Sequence, residues 1–231
     1  MPAPIPPATL EAFAALAAIV YEGALDVGEA ICRTAVRIVP GADHVSISTL
    51  EADGRLHTRA ASDEVARLMD QLENEAGEGP CIDSIVEDSF QRDEDISDRS
   101  TWPALAKLTL ERTSVRGMIG YQLLPDQGRP SALNIFSDTA GALTVDSADT
   151  GALLAAFASV SLTAAARHKT AEDLRKGLES NREIGKAVGL LMAAHSIDAD
   201  QAFDLLRSTS SRTNTKLAQV AAQITQGHKA T

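Results

Sequence analysis

The spacing of apolar positions changes along this chain, and each change predicts a different kind of structure. Residues 8–39 read as two helices: LEAFAALAAIV is Ala/Leu-rich, and Asp26 is placed to cap VGEAICRTAVRIV, which Pro40-Gly41 ends. HVSISTLEADGRLHTRAAS then alternates apolar and polar residues on either side of Asp53-Gly54, the pattern of a β-hairpin. A charged helix is predicted over roughly 62–76 and is stopped by the turn-rich GEGPCID. Strands are predicted at 115–123 and 130–137, joined by the turn chemistry of PDQGR, with a short edge strand near 91–95. Antiparallel strands with helices at the ends of the region predict an α+β domain and not a βαβ repeat.

From Ser147 to about His195 nothing interrupts a helix except glycines. Phe157, Val160, Ala164, Arg167, Ala171, Leu174, Leu178, Asn181 and Gly185 follow the 4-3 spacing of a coiled-coil seam. Polar Arg167 and Asn181 fit the use of a polar seam residue to fix register, so the seam predicts a homodimer; the alternative is a helix packed on its own domain. Two shorter helices follow. Asp198 with Gln201 is a capping-box-like start for the first, and Thr213 or Asn214 is placed to cap the second. Ala202, Phe203, Leu206, Leu217, Val220, Ala221 and Ile224 have core spacing and, with Ile184, Val188 and Leu191, suffice for a three-helix bundle. So small a bundle is marginal alone, a second reason to expect a dimer.

Composition sharpens this picture mainly through charge. The net charge is -11 over 231 residues, but it is unevenly spread. Residues 1–167 hold 12 Lys and Arg against 25 Asp and Glu, whereas residues 168–231 hold 9 against 7. An acidic part and a mildly basic tail suggest separate tasks. Two cysteines, Cys32 and Cys81, make neither a disulfide framework nor a zinc pair, which fits a reduced, cytoplasmic setting. The N-terminus has no signal-peptide pattern, and no uninterrupted apolar run approaches a membrane span, so no membrane association is expected.

The segment NREIGKAVGLLMAAHSIDADQAFDLLRSTSSRTNTKLAQVAAQI resembles an ANTAR domain, the RNA-binding module of bacterial transcription antiterminators. NREIG, the Ala187-x-Gly189-x-Leu191-Met192 run, DQAFDLLR and the Asn214, Lys216-Leu217, Val220-Ala221 pattern carry that likeness. GEGPCID, Thr101-Trp102-Pro103 and LNIFSD at 133–138 are similar to a GAF sensory domain. Together they imply an N-terminal GAF-like antiparallel sheet flanked by helices at 8–166, a coiled-coil-like linker at 167–179 and a three-helix ANTAR bundle at 180–231. The implied function is a signal-responsive antitermination regulator: a dimer that binds paired hairpins in nascent transcripts, controlled by a small-molecule or protein signal at the GAF domain. Family members often carry basic residues where this chain has Val188, Thr215 and Ala218, and one before the Trp-Pro where it has Thr101.

The residues expected to contact RNA are Arg182, Lys186, Ala187, Gly189, Arg212, Thr213, Asn214 and Lys216. The cations supply phosphate contacts, Asn214 and Thr213 polar ones, and the Gly/Ala strip close approach to backbone. Gly185 and Gly189 equally fit close packing between helices. Phe203 is the tail's only aromatic ring and is assigned to the core, so stacking is left to Arg planes or apolar side chains. Cys81 is a redox candidate, because it follows Gly-Glu-Gly-Pro where a helix start would stabilise a thiolate. A GAF-fold thiol enzyme such as a methionine sulfoxide reductase is therefore the first alternative function, and an adaptor that has lost RNA binding the second. The acidic run DEDISD at 93–98 lacks the Gly and terminal Glu of a calcium loop and reads as a solvated loop. No metal quartet, phosphate-cradling loop or nucleophile–base set is found, so neither a cofactor nor catalysis is expected.

Overall fold

The computed structural model describes residues 6–21, 26–86, 90–126 and 128–229. The Pro-rich residues 1–5, Gln127 in the turn of PDQGR and the last two residues of the 180–231 segment lie outside the described residues. Two compact units divide the chain, Met1–Arg167 and His168–Thr231.

The first unit is α+β. Its elements are α1 (Pro7–Tyr21), α2 (Val27–Ile38), β1 (His44–Leu50), β2 (Leu56–Ala61), α3 (Glu64–Ala76), α4 (Pro80–Val86), β3 (Phe90–Asp93), α5 (Pro103–Arg112), β4 (Gly117–Asp126) and β5 (Arg129–Ser137). The strands form one antiparallel sheet in the order β2-β1-β5-β4-β3. The β1–β2 hairpin turns at Asp53-Gly54 as the alternation predicts, with Gly54 at φ +78, a conformation that favours glycine.

Alternation along the strands feeds two cores, one on each face. Val45, Ile47, Ile119, Tyr121, Leu123, Leu133 and Ile135 bury one face against Leu16 of α1 and Ile31 and Ala35 of α2. Leu154, Ala155 and Ala158 join that core from α6 (Val145–His195), the helix that continues into the second unit. Met118 and Phe136 bury the opposite face against Met69 and Leu72 of α3 and Leu105 of α5. Asp26 begins α2 with its carbonyl, which accepts from Ala30 N–H at 3.0 Å, and makes no side-chain cap bond.

GEGPCID and Thr101-Trp102-Pro103 interlock. Trp102 is buried, and its indole N–H donates to Asp83 Oδ2 at 2.7 Å. Glu78 Oε1 accepts from the backbone N–H of Ala104 at 2.6 Å and Leu105 at 3.3 Å, satisfying orphan donors at the start of α5. Glu73 Oε2 does the same for α4, accepting from Cys81 N–H at 3.1 Å and Ile82 N–H at 3.4 Å. Beneath them Asp70 is buried and accepts from the hydroxyls of Ser46 at 3.0 Å, Ser48 at 2.5 Å and Thr58 at 2.5 Å. The run at 93–98 is also tied to its surroundings: Asp93 Oδ2 accepts from Ser100 Oγ at 2.7 Å and Asp95 Oδ1 from Ser97 N–H at 3.0 Å.

The second unit holds the rest of α6 with α7 (Ala199–Thr213) and α8 (Leu217–Lys229). Its core is small: Ala187, Leu206, Val220 and Ala221, ringed by Ile184, Leu191, Leu217 and Ile224. The capping box predicted at Asp198 and Gln201 is present in both directions. Thr213 and Asn214 do not cap α8. Asn214 instead closes α7 in a left-handed conformation, and the Lys216 carbonyl opens α8 by accepting from Gln219 and Val220 N–H.

Among the described residues α6 is the one helix long and apolar enough, by length and composition, to cross a membrane. No uninterrupted run was expected from the sequence; the helix qualifies through alanine-rich stretches, and 33% of its apolar window is buried within the chain.

Glu73 is fully buried, with Oε1 unpartnered among the described residues. Burial first, then the neighbouring Asp70, raises its carboxyl well above the usual range. The folded state thus holds a proton that the unfolded state releases, so this contribution to stability is complete below the ordinary Glu range and fades as pH rises toward the folded value. Glu73→Gln is expected to keep both backbone bonds, flatten the loss of urea midpoint as pH rises above the ordinary Glu range, and match or exceed wild-type stability at the higher pH.

Candidate nucleic-acid interface

Arg182, Gly185, Lys186 and Gly189 stand at offsets of three, four and seven residues, which places them along one side of α6. All four are exposed. The other side carries Ile184, Ala187 and Leu191 into the bundle core. Ala187 is therefore not a contact residue of the kind expected: it is fully buried with Leu206, Val220 and Ala221, and its small side chain serves packing.

A Cβ placed on Gly185 or Gly189 would meet nothing within 4 Å. Packing inside this chain thus requires neither glycine, although each costs ~1 kcal/mol relative to alanine in a helix interior. Gly185 also occupies a position of the predicted seam, whose Val160, Leu174 and Leu178 are 66%, 62% and 68% exposed. Phe157, at the start of that seam, instead packs on the first unit's core, edge-on to Phe13 with ring centroids 5.3 Å apart.

Charge on the stripe is unevenly restrained. Arg182 is exposed and has no ion-pair partner among the described residues. Lys186 Nζ donates to Glu183 Oε1 at 2.6 Å. The other oxygen of Glu183 accepts from the Thr225 hydroxyl at 3.1 Å, tying α8 to α6.

The α7–α8 turn gathers the second set: Arg212, Thr213, Asn214 and Lys216, all exposed. Ser210 Oγ donates to the Thr215 carbonyl at 2.6 Å and Thr215 N–H returns to the Ser210 carbonyl at 3.1 Å, which fixes the turn. The Thr213 hydroxyl is occupied, donating to the Thr209 carbonyl at 2.8 Å. The side-chain groups of Arg212, Asn214 and Lys216 have no partner among the described residues. Unpaired cations and an open amide are the groups that phosphate oxygens and base edges would engage.

Cys81 lies in a different environment from the one expected of a reactive thiol. It is fully buried, and desolvation first, with Glu73 second, raises its thiol well above the usual range. The helix start that would stabilise a thiolate is taken by the Glu73 carboxyl oxygen. Cys32 is buried as well, and burial pushes it up to about 12. Among the described residues no group of His, Cys, Asp and Glu is arranged to hold a metal ion.

Residues 172–224 match the ANTAR domain family. The match begins within the stretch 167–179 that sequence reading gives to a linker. No curated protein sequence matches the chain. Among solved structures, the phycoerythrobilin-bound GAF domain of a cyanobacterial phytochrome has a TM-score of 0.53 at 12% identity, covering 70% of this chain and 97% of that one. The free methionine-R-sulfoxide reductase of Neisseria meningitidis, solved with its substrate, has a TM-score of 0.50 at 12% identity, covering 70% and 89%. At these identities the likeness is one of fold. The chain joins a GAF-like α+β fold to an ANTAR domain.

If the bare stripe is kept for a partner outside the chain, filling it should cost the fold nothing. Gly189→Ala is expected to raise stability by ~1 kcal/mol, read as a higher urea midpoint with unchanged slope. A loss of stability would show that the glycine has a packing role within the fold.

Proposed function

We propose that this chain is a cytoplasmic, signal-responsive transcription antitermination regulator, a homodimer that binds paired hairpins in nascent RNA through its ANTAR domain. The observation that carries this reading is the ANTAR match at 172–224, within which Arg182, Gly185, Lys186 and Gly189 form an exposed stripe facing away from the core. A base or phosphate can approach helix backbone closely only where side chains are absent, and flanking cations supply the salt-dependent attraction. The exposed Val160, Leu174 and Leu178 supply the apolar seam that a second copy would cover. Two weakly binding bundles held together gain affinity for paired hairpins through effective concentration.

Control would act by population shift: a signal at the GAF-like unit favours one arrangement of α6 and so one presentation of the bundles. An open cleft of about 350 Å³ lined by Phe90, Tyr121, Gln122, Ala152, Ala155, Ala156 and Ser159 is walled in part by α6 itself, which makes it one place where a signal could bias that helix. The apolar content of α6 is accounted for by the first unit's core and the seam, so no membrane is invoked.

Two buried thiols, both shifted away from the thiolate, favour a regulator over a thiol enzyme. The adaptor reading rests on Val188, Thr215 and Ala218 at positions where family members are often basic. RNA pull-down from the source cell, wild type against Arg182→Ala/Lys216→Ala, separates the readings. Wild type is expected to enrich transcript leaders containing paired hairpins. The double variant should bind them more weakly, with a log–log salt slope smaller by roughly 1.4, as two phosphate contacts are lost. Enrichment of no such leader by wild type would rule out antitermination.

A further inference from the structure

Phe203 does not fill the core position that its spacing predicts. Ala202 and Leu206 are fully buried, whereas Phe203, one residue around the helix from Ala202, keeps 39% of its surface exposed. It is the only Phe, Tyr or Trp between residues 168 and 231. The same side of α7 carries Arg207 and Ser211, at offsets of four and eight residues, and Asn214 closes the helix just beyond them. Arg207 is held only by Asp204 at 2.8 Å, and both side chains are about two-thirds exposed, 68% and 65%. Such a surface pair is weak and readily exchanged for another anion.

The neighbours of Phe203 decide what could cover it. Leu205, the other exposed large apolar side chain of α7, is two residues on and so lies on the far side of the Ala202–Leu206 line, away from Phe203. The two therefore form no continuous patch of the sort a flat protein interface requires. Phe203 is instead a ring with the Arg207 guanidinium one turn on, and with the Ser211 hydroxyl and the unpartnered Asn214 amide farther toward the end of the helix. A partner with a flat apolar face and polar edges matches that set, and an unpaired nucleotide has both, with a phosphate to take the place of Asp204 on Arg207. Positions 203 and 207 are separated by about 6 Å along the helix axis. One turn of helix thus puts the ring and the guanidinium within reach of the same ligand. The capping box at Asp198 and the left-handed close at Asn214 fix both ends of the helix that presents them.

We propose that Phe203 and Arg207 form a stacking site for one unpaired base of the bound RNA loop, with Asn214, at the close of α7, reading a base edge. This rests on the RNA-binding reading and adds a sequence-selecting contact to the phosphate contacts. Full-length protein would first select from a pool of RNA hairpins with randomised loops, and the selected hairpins would then be titrated with variants. Phe203→Ala and Phe203→Leu are expected to weaken binding about 5- to 150-fold, while Phe203→Tyr and Phe203→Trp stay within a few fold of wild type. With 2-aminopurine placed at each loop position in turn, wild type should quench one position that Phe203→Ala leaves bright.

Three results would overturn the site: unchanged affinity and quenching in Phe203→Ala, full affinity in Phe203→Leu, or loss of dimer in Phe203→Ala by light scattering. The last would place Phe203 between copies. If wild type selects no hairpin at all, the RNA-binding reading itself fails and takes this site with it.

Discussion

One uninterrupted helix supplies side chains to two separate cores. Leu154, Ala155 and Ala158 of α6 are buried against the GAF-like sheet, and Ala187 of the same helix is buried in the ANTAR bundle. Between them the helix has no core of its own and is held by its backbone and by ion pairs such as Lys176–Glu172 at 2.9 Å and Arg175–Glu179 at 2.6 Å. Pairs of this kind contribute only a few tenths of a kcal/mol each. The exposed Leu174 and Leu178 lie in this same stretch, on the seam that the proposed dimer would cover. Under the proposed regulation no separate transmitting element is needed, because the helix that meets the sheet is also the helix that presents Arg182 and Lys186.

The GAF-like unit shows how a motif can be diagnostic of fold without being a site. Glu78 and Asp83 of GEGPCID bond the start of α5 and the Trp102 indole, so the first motif satisfies polar groups of the second. Cys81 sits at the centre of this arrangement, and its burial beside Glu73 favours packing over thiolate chemistry. The polar layer beneath α3 follows the same logic, with three hydroxyls converging on the buried Asp70 carboxylate.

Elements set by local chemistry were legible in the sequence: the Asp53-Gly54 hairpin, the Asp198–Gln201 capping box, the antiparallel strands and the long helix all rest on short-range periodicity or capping. Features decided by tertiary packing were not. Ala187 and Gly189 are two residues apart in one motif, yet one is buried and the other bare, because only the direction of the core distinguishes them. Phe203 matches core periodicity as well as Leu206 does, but the core is narrow and two neighbours fill it. Asn214 looks like a helix start because Asn caps helices well, although it is equally suited to the left-handed close of the helix before it.

The central claim is that RNA meets this protein along the bare side of α6 and at the α7–α8 turn. The most direct measurement is ultraviolet crosslinking of full-length protein to its selected hairpin RNA, followed by mass spectrometry of the crosslinked peptides. The account predicts crosslinks on peptides spanning residues 182–189 and 203–216, with none on peptides from residues 6–167. Crosslinks confined to the GAF-like unit, or reaching neither of those two segments, would contradict it.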